Sequence, residues 1–95
     1  MVSYLTMNRA VDRVERIAML RRMVLTSGKY MEGCDELSLR DALALEADVH
    51  QLVADCVGFM RQGGYSWREI GEASGLSHVG AQLRWRFAAD RLTAK

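Results

Sequence analysis

A chain of 95 residues that is 49% apolar and 26% charged has the composition of one globular domain, and disorder is excluded. Its net charge of +1 conceals three blocks: residues 1–29 carry six basic against two acidic side chains, residues 30–60 one against seven, and residues 61–95 six against three. No apolar run approaches membrane-spanning length and no apolar leader core follows Met1, so the expectation is a cytoplasmic protein with no membrane partner.

The first predicted helix runs from Leu5 to Leu25. Met7, Val11, Val14, Ala18 and Leu25 recur on three- and four-residue steps, with Ala10, Ile17 and Val24 beside them and Arg21 interrupting the row. Tyr4, Met19 and Met23 lie off that stripe, an apolar excess that predicts a dimerisation helix over residues 1–27. Arg9, Arg13 and Arg16 share one face of the same helix. Gly28 is the expected stop, since glycine tolerates a left-handed backbone. The loop "GKYMEGCDEL" follows, with two glycines and several acids. Its Cys34 and the later Cys56 form no CxxC pair, and His50 and His78 complete no zinc spacing, so both cysteines read as reduced thiols and no metal or cofactor is expected.

The second helix is predicted over residues 38–62, capped by Ser38 with Asp41 reaching back as a short capping box. Its expected buried stripe is Leu39, Ala42, Leu43, Val49, Leu52, Val53, Cys56, Val57 and Met60. Gly63-Gly64 ends it. A third, short helix begins after Ser66, with Glu69 completing an S-x-x-E box, and stops at Gly75. Ser77 caps a fourth helix of about fifteen residues, through Leu92. A prolineless chain with no strand-period segment is all-α, about four helices in a single helical domain over 1–95.

Residues 66–92 carry the chemistry. Two helices joined by a three-residue turn, Gly75-Leu76-Ser77, form the helix-turn-helix arrangement. Ile70, Leu76 and Ala81 are expected between the helices, Gly71 at their close crossing, and Trp85 over the end of the interface. Trp67 is expected to pack on the second helix. The outward side of the fourth helix then holds His78, Val79, Gln82 and Arg86, with Leu83 at its margin. Glutamine pairs with adenine edges, arginine with guanine, and valine with a thymine methyl, so this set suits a major groove. Ser66 and Ser77 at helix N-termini, with Arg68 and Arg84, are candidate phosphate contacts.

The segment "YSWREIGEASGLSHVGAQLRWR" resembles the helix-turn-helix of small bacterial and phage DNA-binding regulators, particularly the actinobacterial kind with a Trp-Arg-Glu-Ile-Gly opening. The match covers about residues 60–87, and "LALEADVHQLVADCVGFMRQGG" resembles the helix that packs behind that motif. The resemblance implies a sequence-specific double-stranded DNA-binding transcriptional regulator, nucleoid-associated when bound, whose second motif helix enters the major groove with His78, Val79, Gln82 and Arg86 as reading residues. Presentation to two-fold related half-sites implies a homodimer through Met7, Val11, Val14, Ala18, Met19 and Met23. Val79 and Gly80 depart from the pattern, because relatives carry polar or alanine residues there. Gly80 either allows close approach to the DNA backbone or leaves this helix less rigid until bound.

The rival reading is a protein-interaction adaptor or inhibitor that meets a regulator or polymerase subunit through the first helix or the acidic loop. A DNA-architectural or recombination accessory factor is the alternative within the DNA class. No nucleophile triad, phosphate-binding glycine loop or zinc set occurs, and an enzyme is not expected.

Overall fold

The computed structural model describes the backbone of residues 4–93 and the side-chain surroundings of residues 9–90. Among the described residues the chain is all-α, as composition and periodicity predict. In order come α1 (Tyr4–Ser27), a 3-10 turn (Gly28–Tyr30), α2 (Glu36–Gln62), α3 (Trp67–Ser74), α4 (His78–Trp85) and α5 (Ala88–Thr93). No helix among the described residues is long and apolar enough to cross a membrane. The chain divides into two compact units, residues 1–39 and 40–95, with the boundary inside α2.

In the first unit α1 continues two residues past its predicted end. The Thr26 hydroxyl donates to the Arg22 carbonyl at 2.8 Å, and the Ser27 hydroxyl donates to the Met23 carbonyl. Gly28 is not the left-handed stop: it opens the 3-10 turn, whose carbonyl accepts from the Met31 N–H at 3.0 Å, and the positive φ of this segment falls at Gly33 instead. The α1 residues expected at a dimer interface are uncovered in the single chain. Val14 is 70% exposed, Val11, Met19 and Met23 are exposed, and Ala18 is half-buried. The side chain of Met7 lies outside the described residues.

The start of α2 corrects the expected cap. The helix begins at Glu36, and Asp35 rather than Ser38 is the capping residue. One carboxylate oxygen of Asp35 accepts both the Ser38 N–H and the Ser38 hydroxyl, each at 2.9 Å. An ionised carboxylate is the stronger acceptor, so it takes the free amide and reduces the serine to a donor. The same two bonds, the backbone one first, hold the Asp35 carboxyl below the usual aspartate range.

In the second unit one small core joins all the helices. Val57 of α2, Ile70 of α3, Ala81 and Trp85 of α4 and Ala88 of α5 are buried together, with Ala54, Met60, Trp67 and Leu76 packed around them. Only one side of α2 reaches this core, where Val57 and Gly58 are buried and Ala54 is half-buried. The expected buried stripe is therefore corrected. Leu39, Leu43, Val49, Leu52 and Val53 are exposed, and Cys56 is an exposed free thiol, not a core residue. Helical period alone could not choose between the two apolar sides of α2. The choice is made by where the short helices α3 to α5 dock.

Candidate nucleic-acid interface

Two left-handed glycines, Gly64 and Gly75, set the path of the chain from α2 to α4. At the end of α2, Gly64 adopts φ +96; its N–H bonds the Arg61 carbonyl at 3.1 Å, and the Tyr65 N–H bonds the Met60 carbonyl at 3.0 Å. This is a Schellman stop, which satisfies the last helical carbonyls and turns the chain. Arg61 reinforces it: one guanidinium N–H donates to the Tyr65 carbonyl at 2.9 Å, and the guanidinium lies 4.8 Å from the Trp67 ring centroid. Sequence reading gave Arg61 no role. Its signal is a cation in the last turn before Gly-Gly with an aromatic pair just beyond.

Ser66 then caps α3. Its hydroxyl accepts the Glu69 N–H at 3.1 Å and the Glu69 carboxylate accepts the Ser66 N–H at 3.0 Å, so both halves of the predicted capping box are present. The Ser66 N–H, and after it the Ser66 hydroxyl, hold the Glu69 carboxyl below the usual glutamate range. After the eight residues of α3, Gly75 at φ +77 ends the helix, and the Leu76 N–H bonds the Gly71 carbonyl at 2.8 Å. Ser77 caps α4 by accepting the Gly80 N–H at 3.0 Å.

This turn is tight because of Gly71. A Cβ at that position would stand 2.6 Å from the Leu76 carbonyl oxygen, so only a residue without a side chain lets α3 meet the turn. Ile70 at 1% exposure and Ala81 at 0% fill the space between the two helices, with Leu76 half-buried beside them and Trp85 buried at the end of the interface. Every inward residue named from the sequence is thus in place, and Trp67 packs against the same core.

The side of α4 away from Ala81 and Trp85 is open. Val79, Gln82 and Arg86 are exposed, and His78 is exposed at the start of the helix, in line with Ala81 and Trp85; Ser66, Arg68, Ser77 and Arg84 are exposed as well. With about 100° between successive helical residues, Leu83 lies most nearly opposite the buried pair. At 66% exposure it is the most outward apolar residue of α4, rather than a marginal one. Gly80 answers its open question differently from either expectation. It is half-buried, its N–H is the group that Ser77 caps, and its missing Cβ would meet the Ser77 hydroxyl at 3.2 Å. It packs against the turn from the first turn of α4.

The fourth predicted helix is corrected to two. α4 has eight residues, a turn at Arg86-Phe87 follows, and α5 begins at Ala88. No glycine or proline marks the break, so the periodicity reads through it. Arg86 keeps helical angles, φ −55 and ψ −24, and therefore stays in register one turn beyond Gln82. Its guanidinium lies 4.9 Å from the Phe87 ring centroid, and that of Arg84 lies 4.9 Å from the Trp85 ring centroid. An open groove of about 680 Å³ runs beside α4, lined by Gln51 and Ala54 of α2 and by residues 83–88 and Asp90.

The two helix N-termini differ electrostatically. That of α3 already holds the Glu69 carboxylate, while α4 has no acid in its first turn. An incoming anion meets a compensated helix end at α3 and an uncompensated one at α4. No protein-family model, no curated protein and no solved structure matches this chain.

Proposed function

We propose that this chain is a sequence-specific double-stranded DNA-binding transcriptional regulator that places α4 in the major groove and acts as a homodimer. One observation carries the reading. A helix of eight residues, locked to its neighbour through Gly71, Ile70 and Ala81, presents an uncovered face of Val79, Gln82, Leu83 and the adjoining Arg86, with His78 exposed at its N-terminal end. Eight residues rise about 12 Å, close to the width of the major groove and enough to span roughly four base pairs. Gln82 and Arg86 supply donors and acceptors for base edges, and Val79 and Leu83 supply apolar contact for thymine methyls.

Phosphate anchoring falls to the N-terminus of α4, with Ser77, and to Arg68 and Arg84. We leave Ser66 out of that set, because its hydroxyl is engaged by Glu69 and the Glu69 carboxylate stands where a phosphate oxygen would approach. A lone motif of this size buries little DNA surface. The uncovered apolar side of α1 supports pairing of two copies, which sets the two recognition helices about 34 Å apart on successive turns of the duplex.

Selection of binding sites from random duplexes with the full-length protein tests the reading. The expected product is a short palindrome whose affinity falls with added salt. Arg86→Ala should cost about 1–3 kcal/mol and relax one base position, whereas Arg84→Ala should weaken all sequences alike and reduce the salt slope by about one. The reading fails if the protein shows no salt-dependent retention on any duplex, and the adaptor then takes its place. A bent or repeated footprint without a palindrome favours the accessory-factor alternative.

A further inference from the structure

The exposed side of α2 carries a second pattern. Ala42, Leu45, Val49, Leu52, Cys56 and Phe59 follow one another at steps of three, four, three, four and three residues. That is a heptad seam of two and a half repeats, with small or β-branched residues alternating with leucine and phenylalanine. It lies on the side of the helix away from Val57 and Gly58. Leu45, Val49, Leu52, Cys56 and Phe59 are all exposed, Phe59 at 63%.

Helix α1 holds a matching row in the same period: Val11, Val14, Ala18, Arg21 and Leu25. The charges of the two helices are opposite. α1 has five arginines against two acids, and α2 has five acids against two arginines. Arg21 counts against one pairing. Parallel, in-register pairing of α1 with another α1 would set Arg21 against Arg21 inside an apolar seam, and a desolvated like-charge pair is strongly unfavourable. In-register pairing of α2 with another α2 would set Asp41 of one chain near Glu46 of the other, the flanking positions that select partners in a coiled coil. Pairing α1 with α2 removes both repulsions and gives Arg21 acidic neighbours.

We propose that the outward seam of α2 is the docking surface for α1 of a second copy, so that two chains exchange their first helices. The inference rests on the homodimer reading above but assigns that dimer a second surface, of which sequence reading placed Ala42, Val49, Leu52 and Cys56 in the core. It also leaves α3 and α4 uncovered in the dimer.

Sedimentation of the full chain and of Val14→Lys, Val49→Lys and Leu52→Lys tests it, with circular dichroism confirming retained helix. Lysine propagates helices well, and all three positions are exposed, so loss of the fold is not the expected effect. The wild type should be a dimer, and each variant should raise its dissociation constant more than tenfold. If Val14→Lys dissociates the dimer and the two α2 variants do not, the α2 seam is refuted while the α1 dimer stands. A monomeric wild type overturns both.

Cysteine trapping identifies the occupant. In a Cys34→Ser background, Cys56 should form disulfides between chains with one or more of Val11→Cys, Val14→Cys and Ala18→Cys, and none when it is the sole cysteine. Disulfide-linked chains from Cys56 alone would show α2 pairing with α2. A disulfide within one chain would show α1 folded onto its own α2. Either result overturns the exchange.

Discussion

Replacing Gly71 by alanine probes the geometry on which the placement of α4 against α3 depends. The new Cβ would stand 2.6 Å from the Leu76 carbonyl oxygen and 3.1 Å from the carbonyl carbon and oxygen of Ser77. All three are backbone atoms in a turn closed by the Leu76 N–H bond to Gly71 at 2.8 Å and by the Ser77 cap on α4. None can rotate aside as a side chain would. Restoring ordinary contact needs roughly 1 Å of separation, which opens the α3–α4 interface around Ile70 and Ala81. Overpacking of this kind costs up to about 3 kcal/mol, and alanine returns about 1 kcal/mol of helix propensity. The net expectation is a loss of about 2 kcal/mol, or on the order of 10 °C in Tm for so small a domain. Gly80→Ala is the internal control. There the nearest atom is the Ser77 hydroxyl at 3.2 Å, a side chain that can yield, so stability should stay level or rise by up to about 1 kcal/mol. Chemical denaturation followed by tryptophan fluorescence reads both, because Trp67 and Trp85 both lie in the unit that contains the turn. A Gly71→Ala protein as stable as the wild type would refute the close-packed turn, whatever Gly80→Ala does.

Ile70→Ala truncates the largest fully buried side chain of the core, at 1% exposure. It should destabilise the same unit by about 2–5 kcal/mol in the same fluorescence assay. The Glu69 carboxyl is held below its ordinary value, mainly by the Ser66 N–H. Its contribution is therefore fully present above the unfolded glutamate value of 4.5 and is lost as pH falls through the lower folded value. Denaturation midpoints should fall on that acidic side, and Glu69→Gln should flatten the decline; an unchanged slope would remove the carboxylate from the cap. Leu83→Ala should leave the denaturation midpoint nearly unchanged, because the side chain is 66% exposed, yet weaken binding to selected duplexes. A fold that loosens with unaltered affinity would place Leu83 in packing instead.

The uncovered sides of α1 and α2 give the same residues two descriptions, depending on whether the helix or the chain is considered. Along either helix they look like core. Among the described residues of α2, Val57, Gly58 and their neighbours pack into the core, because α3, α4 and α5 are short and together cover one side of the helix. A chain this small buries a limited share of its apolar surface by itself, and association is the ordinary way to cover the rest.

What the sequence alone determined was most of what neighbours a few residues apart govern. The S-x-x-E box, the Gly64 and Gly75 stops, the Ser77 cap and the closeness at Gly71 are each closed by bonds or contacts within six residues, so residue type and spacing suffice to read them. The helix-turn-helix and its inward set, Ile70, Leu76, Ala81 and Trp85, followed directly. Two local details read differently in the structure: α2 is capped three residues early because Asp35 accepts the Ser38 N–H and hydroxyl, and Gly80 lies against the Ser77 hydroxyl that caps it. Tertiary structure decided the rest. Docking of three short helices chose which apolar side of α2 became core and left Leu45, Val49, Leu52, Cys56 and Phe59 facing outward. Periodicity measures how apolar each side of a helix is, and burial depends on what arrives to cover it.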